Sequence, residues 1–239
     1  MKIIEISDWE YQSKMDKSQK KIVNELEASI RSKITDKYLY GCDKTYRQEI
    51  LYYVNTKLNQ LISVGIKSFE GKSFLDLGCG NTGFMDYGGG DMFRPWLCRT
   101  LTELGAKRVI GVDIGKNKDK TYEVHRADLT KMNCLNFLET ASINVATSFN
   151  LFDSPDFYGE WDQRFVNGDL YFWKLNSQLK KIVKPDGLFV HDYPFADRNN
   201  LTNCCNYSVL WHVKDFTKRY KLKEKFLNKY HCYLQKEDF

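Results

Sequence analysis

The sequence lacks the features that mark secreted, membrane-spanning or zinc-binding proteins. Its seven cysteines are an odd number and none lies in a Cys-x-x-Cys pair, which argues against a disulfide framework and a zinc site. No apolar run approaches the roughly 20 residues that a membrane helix needs, and Met1–Glu10 does not follow the pattern of a signal peptide. We therefore expect a soluble, cytoplasmic protein with no bound metal and no membrane partner.

The sequence also lacks blocks of arginine. Its net charge is +5, and the excess is spread over lysine-rich faces and a lysine-rich C-terminal region. This balance permits a nucleic-acid partner without requiring one. At 239 residues, 42% of them hydrophobic, the chain can bury one sizeable core, so a single main domain with a small appendage is expected.

One stretch organises the rest of the chain. Ser73–Gly83 reads SFLDLGCGNTG, in which a short apolar run with one acid breaks into Gly78, Gly80 and Gly83. This pattern predicts a buried strand that ends in a tight turn, where the backbone can approach a ligand closely. By glycine spacing alone it also matches the dinucleotide fingerprint, so a nicotinamide cofactor remains an alternative at this point.

The residues before this stretch are predicted to be helical. Apolar positions recur at helical spacing over Met15–Ile34 and again over Tyr46–Val64. We interpret residues 1–68 as a helical extension and 69–239 as the main domain. The tyrosines of Asp36–Asp43 are either packing residues or part of a lid over a substrate pocket, and Gly88–Gly90 is either a mobile loop beside the site or a plain surface loop.

Strands and helices alternate after the glycine turn. Further strands are predicted at 108–114, 121–126, 143–149 and 188–190, with helices at 94–104, 133–140 and 168–184 and two closing strands at 222–227 and 231–235. Such alternation predicts a doubly wound α/β fold, in which ligands bind at the carboxyl ends of parallel strands.

Four motifs in this order resemble class I S-adenosylmethionine-dependent methyltransferases. Leu75–Gly80 resembles the first motif of that family, Gly111–Asp113 its acid-ended second strand, Ala127–Leu129 its third-strand element, and Leu179–Phe189 the helix and turn before its fifth strand. The resemblance implies a Rossmann-like, seven-stranded, mostly parallel sheet. It also implies S-adenosyl-L-methionine as the cofactor.

The family pattern, carried over residue by residue, gives a set of cofactor contacts. It implies that the methionine part lies against Asp76, Gly78, Cys79 and Gly80, and that Asp113, followed by Ile114, accepts hydrogen bonds from the ribose hydroxyls. Asp128 and the amide of Leu129 would read the adenine edge, and Phe149 would line the pocket. For each acid the alternative is a helix cap or turn former, and for Phe149 it is ordinary core packing.

Two positions depart from the family pattern. Asn144 stands in the fourth strand where many relatives have an acid, which would affect hydrogen bonding within the fold more than chemistry. Phe152–Pro155 keeps one proline of the Asn- or Asp-Pro-Pro-aromatic motif that nucleobase amino-methylating enzymes often show. This departure argues against nucleobase amino methylation.

A general base is needed only if the methyl acceptor must lose its proton. His191 and Asp192 after the fifth strand, and Asp153 after the fourth, are the candidates. His191 is preferred because imidazole titrates near neutrality, although it could equally be a hydrogen-bonded structural group.

The acceptor is predicted to be a small molecule methylated at oxygen or nitrogen, because the nucleobase motif is incomplete and aromatic residues flank the site. The alternatives are RNA, DNA or protein as substrate, supported by the positive charge, and a non-catalytic subunit that keeps the cofactor fold.

Overall fold

The computed structural model describes residues 1–5, 15–33, 47–80, 95–149, 151, 174–191 and 210–211. Three helices are α1, Lys17–Lys33; α2, Arg47–Ser63; and α3, Trp96–Glu103. Residues 174–182 form a fourth, α4. The strands are β1, Lys2–Glu5; β2, Ser73–Leu77; β3, Arg108–Asp113; β4, Glu123–Arg126; β5, Ile143–Ser148; β6, Val183–His191; and β7, Leu210–Trp211.

The strands form one mostly parallel sheet in the order β4-β3-β2-β5-β6-β1-β7. Leu75 of β2 pairs with Ile110 of β3 on one side and with Ala146 of β5 on the other. β1 runs parallel to β6, whereas β7 is antiparallel to β1. β2 therefore lies near the middle of the sheet, and the carboxyl ends of β2, β3, β4 and β5 share one edge.

Apolar side chains alternate between the two faces of the sheet, as the period of two requires. Phe74 belongs to a cluster with α1, α2 and α3, whereas Leu75 belongs to a second cluster with α4 and the turns after β4. Helices thus cover both faces, which confirms the predicted mostly parallel α/β architecture. α1 and α2 share a core with β2. The proposed boundary between a helical extension, 1–68, and a main domain, 69–239, stays a prediction.

Most of the predicted elements were placed correctly, including α1, α2, α3 and β2 to β5, to within a few residues. The prediction that 1–68 is wholly helical was wrong at its start, because Lys2–Glu5 is a strand paired with β6. Four residues are too few for a period-two pattern to be distinctive, so partner pairing, not local pattern, determines this strand.

The helix predicted over 133–140 was also wrong. The chain there makes successive turns in which the Asn136 amide donates to the Asn133 carbonyl and the Leu138 amide to the Leu135 carbonyl. Asn133 has a φ of 60°, which is incompatible with a right-handed helix. The side chain of Gln178 on α4 also accepts a hydrogen bond from the Leu135 amide at 3.0 Å, which satisfies that donor outside a helix.

β6 begins earlier than predicted, at Val183, where the sequence predicted a helix through Lys184. Its pairing with β5 shifts between Val183 and Leu188, so Pro185 and Gly187 lie in an irregularity of the strand. The predicted closing strands at 222–227 and 231–235 lie outside the described residues, as do Asp36–Asp43 and Gly88–Gly90. In the part of the chain that the structure describes, no helix is both long and apolar enough to cross a bilayer.

Candidate active site

The glycine turn after β2 is fixed to the end of β3. The backbone amides of Gly78 and Cys79 both donate to the carbonyl of Val112, at 2.8 and 3.2 Å. Gly78 and Gly80 have φ values of 72° and 87°, a region that side chains disfavour. The predicted tight turn is therefore present, and two of its glycines are required by backbone conformation.

Gly78 is also required by space. A Cβ added there would lie 2.7 Å from Cδ1 of Leu151, a residue that is buried just beyond the end of β5. Leu151 therefore covers the turn from the β5 side. The sequence does not reveal this contact, because the two residues are far apart in the chain and a single leucine after a strand belongs to no motif.

Asp113 lies at the centre of the turn's polar contacts. Its Oδ2 accepts a hydrogen bond from the Gly80 amide at 2.9 Å, and its Oδ1 accepts one from the Gly115 amide at 2.7 Å. A carboxylate offers about four lone-pair positions, so these two bonds leave acceptor capacity for further donors. Asp113, the acid that was predicted to end a strand, is thus held beside the predicted glycine turn.

Asp76 is buried, with 5% of its surface exposed. Its Oδ1 accepts a hydrogen bond from Thr147 Oγ1 at 2.6 Å, and its Oδ2 accepts a weaker one from Cys98 Sγ at 3.5 Å. Burial raises the pKa of Asp76 to about 6, although these two bonds and the charge of Lys57 lower it. Its contacts with β5 and α3 are those of a group that joins the sheet to a helix, and its predicted role beside the ammonium group of a cofactor stays a prediction.

Two thiols lie under the turn. A Cβ on Gly111 would lie 2.8 Å from Cys79 Sγ and 3.2 Å from Cys98 Sγ, so both sulfurs pack against β3 where it has no side chain. Burial raises the pKa of Cys98 well above its usual value. A hydrogen bond with Cys98 lowers the pKa of Cys79, but burial and the charges of Asp76 and Asp113 outweigh it. Both groups are therefore neutral thiols, and neither forms a disulfide.

The residues that were predicted to contact adenine make hydrogen bonds within the fold itself. Asp128 Oδ1 accepts hydrogen bonds from the amide and the hydroxyl of Thr130, at 3.0 and 2.6 Å, which is the geometry of a turn former. The neighbouring Ala127 amide donates to the Asp113 carbonyl at 3.0 Å and so brings Asp128 close to the end of β3. Leu129 is buried in the core, whereas Ile114 exposes 47% of its surface.

Phe149 at the end of β5 is buried in the cluster that contains α2, and the Lys57 ammonium lies 4.7 Å from the centre of its ring. Lys57 is itself 2% exposed and its charge acts on Asp76. No motif in the sequence singles out this lysine. Only the packing of α2 against the sheet shows that it is a buried cation.

His191 ends β6 and is fully buried, in register with Ser148 of β5 and with its ring tilted against Phe189 at 5.3 Å. Its place at the carboxyl end of a central strand agrees with the prediction, and its catalytic role stays a prediction. Asp153 and Asp192 lie outside the described residues. Among the residues that the structure describes, no three His, Cys, Asp or Glu side chains cluster as a metal site would require.

The predicted departure at Asn144 has a structural role. Its side-chain oxygen accepts hydrogen bonds from the Ser73 amide at 2.9 Å and from Lys184 Nζ at 3.3 Å. Asn144 therefore ties the start of β2 to β5 and β6, at the edge of the sheet opposite the site.

Comparison with known proteins adds the family. No curated protein is similar enough to count as a match. Residues 55–219 match the family of FtsJ-like methyltransferases, a range that includes the second half of α2, the glycine turn, Asp113 and β6. Since this range covers more than half of the chain and the predicted motifs lie in order within it, the chain belongs to the FtsJ-like methyltransferases, a class I S-adenosylmethionine-dependent family of enzymes.

Proposed function

We propose that this methyltransferase binds S-adenosyl-L-methionine over the glycine turn and transfers its methyl group to RNA. The turn and Asp113 support the first part of the proposal. Asp113 keeps acceptor capacity after its two bonds to backbone amides, which suits a pair of ribose hydroxyls. Ile114, next to it, exposes an apolar side chain that suits the face of an adenine.

The cofactor, when bound, supplies an electrophilic methyl carbon on a sulfonium. Held by the glycine turn and Asp113, this group would pass its methyl to the acceptor: the new bond to carbon would form as the carbon–sulfur bond breaks, with the bonding electrons left on sulfur. The protein's task is mainly to align the acceptor with the methyl carbon. The bonds from the Gly78 and Cys79 amides to the Val112 carbonyl, and from the Gly80 amide to Asp113, give the turn the rigidity that this alignment needs.

We keep His191 as the candidate general base, with Asp153 and Asp192 as alternatives. An acceptor hydroxyl must lose its proton as the new bond forms, and a neutral imidazole can take it. The position of His191 at the end of β6, beside β5, supports this assignment. Because His191 is completely buried, an acceptor hydroxyl would contact it only after neighbouring residues move.

The family supports RNA as the substrate, because FtsJ-like enzymes typically act on RNA. The net charge of +5 agrees with a polyanionic partner. A small-molecule acceptor, which the sequence analysis favoured, is the second candidate. Its support is the pair of aromatic segments at Tyr38–Tyr40 and Phe157–Trp161, which lie outside the described residues.

One experiment separates the two candidates. The purified chain is incubated with S-adenosylmethionine carrying a deuterated methyl group, in parallel with total RNA and with a metabolite extract, and products are read by mass. A labelled nucleoside after RNA digestion supports the proposal. A labelled metabolite with unlabelled RNA would transfer the assignment to a small molecule, and no label in either pool, with no calorimetric binding of the cofactor, would favour a non-catalytic subunit.

Two further assignments belong with this proposal. The predicted closing strands at 222–227 and 231–235 would add to the seven strands, β1 to β7, that the described sheet already contains. The free thiols of Cys79, Cys98 and Cys134 agree with a reducing compartment, which supports the cytoplasm as the site of action.

A further inference from the structure

The segment between β3 and β4 alternates in exposure along its length. Ile114, Lys116, Lys118 and Lys120 are exposed, whereas Gly115, Asn117 and Asp119 between them are half-buried. Every second side chain therefore points to solvent, and three of the four that do so are lysines. An ordinary surface loop would not require lysines at every second position with half-buried residues between them.

The half-buried residues anchor the segment to the site. Asn117 Nδ2 donates to the Gly80 carbonyl at 3.3 Å and to the Tyr122 hydroxyl at 2.6 Å. Asp119 accepts hydrogen bonds from Arg99 on α3 and from Thr121. The backbone that carries the lysines is thus fixed to the glycine turn on one side and to α3 on the other, which reduces the entropy that a ligand would have to remove.

The described residues around the segment carry more positive than negative charge. Asp119 is paired with Arg99, whereas Asp113, which is bonded to two uncharged backbone amides, keeps its negative charge. Exposed Arg126 and Lys131 lie at the end of β4 and in the turn after it, and Lys131 Nζ lies 4.0 Å from Asp128 Oδ2. Counted over these described residues and the three lysines, cations outnumber carboxylates at this carboxyl edge of the sheet.

The spacing suits a strand of phosphates. Two residues of chain span at most roughly 7 Å, and the flexible lysine stems can adjust that distance to successive charges of a nucleic-acid backbone. We propose that Lys116, Lys118 and Lys120 form a docking strip for the phosphate backbone of the RNA substrate, immediately beside the cofactor cradle. This inference rests on the proposed RNA methyltransferase function.

The strip variant replaces the three lysines by glutamine, K116Q/K118Q/K120Q, in the full chain. The matched control is K67Q/K107Q/K181Q, which removes the same charge from exposed lysines at the amino edge of the sheet. Binding of a fluorescein-labelled single-stranded RNA of about 20 nucleotides is followed by anisotropy between roughly 50 and 200 mM salt. Calorimetry with S-adenosylmethionine and a thermal melt verify that each variant is folded and binds cofactor.

We expect the strip variant to bind the RNA at least tenfold more weakly than wild type at the lower salt concentration. The slope of log affinity against log salt should become shallower by about 2, since each phosphate contact of a single strand contributes roughly 0.7. The control variant should keep a slope near that of wild type. Cofactor affinity should remain unchanged in both variants.

Equal affinity and equal slope for the strip variant and wild type would overturn the docking strip, and so would an equal loss in the control. If wild type methylates RNA in either case, the proposed function stands without the strip. If wild type neither binds nor methylates RNA, the proposed function and the strip both fail.

Discussion

The backbone amide of Gly80 donates a hydrogen bond to Oδ2 of Asp113 at 2.9 Å, across 33 positions of sequence. This bond joins the glycine turn of β2 to the acid that ends β3, so the two motifs are parts of one structure. A change at Asp113 should therefore affect both ligand binding and the turn.

Asp113→Ala should lower the affinity for S-adenosylmethionine at least tenfold, because it removes the acceptor for the ribose and releases the Gly80 and Gly115 amides. A hydrogen bond to a charged group contributes about 1.5 to 3 kcal/mol, so stability should fall as well. Calorimetry and urea unfolding measure the two effects. Asp113→Asn keeps one acceptor oxygen and should lose less of both; cofactor affinity that is unchanged in both variants would contradict the assignment.

Asp76→Asn should stabilise the protein at pH 7.5. The folded-state pKa of Asp76 is about 6, above the ordinary value of 3.8, because burial disfavours its charged form. The contribution of this acid to stability is therefore complete below about pH 3.8 and is lost as the pH rises through about 6. At pH 7.5 the neutral amide should gain about 3 kcal/mol at most, and at pH 4.5, between the two pKa values, the gain should fall to about 1 kcal/mol.

Thermal melts at the two pH values test this expectation, with Asp186→Asn as a control at an exposed carboxyl. The control should change the melting temperature little at either pH. If Asp76→Asn is less stable than wild type at pH 7.5, the hydrogen bonds of the Asp76 carboxylate with Thr147 and Cys98 outweigh the cost of burying its charge.

Gly78→Ala should destabilise the protein more than Gly71→Ala. Both glycines have a φ of 72°, so the backbone cost of about 1 to 2 kcal/mol is shared. A Cβ at Gly71 meets nothing within 4 Å, whereas a Cβ at Gly78 lies 2.7 Å from Leu151. The difference between the two variants, measured by urea unfolding, isolates the contact with Leu151.

Leu151→Ala provides the second half of that test. In the double variant with Gly78→Ala the 2.7 Å clash with Cδ1 is absent and only the 3.2 Å contact with the Cβ of residue 151 remains, so the two substitutions should cost less together than the sum of the single costs. Additive costs would show that Leu151 moves aside freely and does not cover the turn.

Asn144→Ala should lower stability by about 1 to 3 kcal/mol, because it leaves the buried amide of Ser73 without its acceptor. Asn144→Asp keeps an oxygen for both Ser73 and Lys184 and should be tolerated. Cofactor affinity should be unchanged in both, since Asn144 lies at the amino edge of the sheet. A loss of affinity without a loss of stability would contradict this structural role.

The architecture could be predicted from the sequence wherever burial or backbone conformation restricts which residue types a segment can contain. The apolar runs of β2, β3 and β5 and the glycines beside Asp113 are such patterns, because burial and positive φ restrict the residue types directly. The pairing of β1 with β6 leaves no comparable local trace. The same is true of the turns at 133–140, which depend on Gln178 from another helix.

In the candidate site, sequence identified the acids but not their neighbours. Asp113 carries a family motif, whereas Lys57 and Leu151 become significant only when α2 and the end of β5 pack over the turn. For Asp76, the sequence indicated a charge available to a ligand, and the structure shows both of its oxygens engaged by Thr147 and Cys98. Whether the Asp76 side chain faces a ligand or a helix depends on how distant segments pack, and the residue type alone does not show it.

The parallel pairing of β1 with β6 sets the order in which the protein can mature. Lys2 is synthesised long before its partner Leu188. Until β6 has been made, β1 lacks its parallel partner, and among the described strands β6 and β7 are the last to be synthesised. Contacts between such distant parts of a chain form slowly, so β1 stays without this partner in the nascent enzyme and is exposed to misassociation for that time.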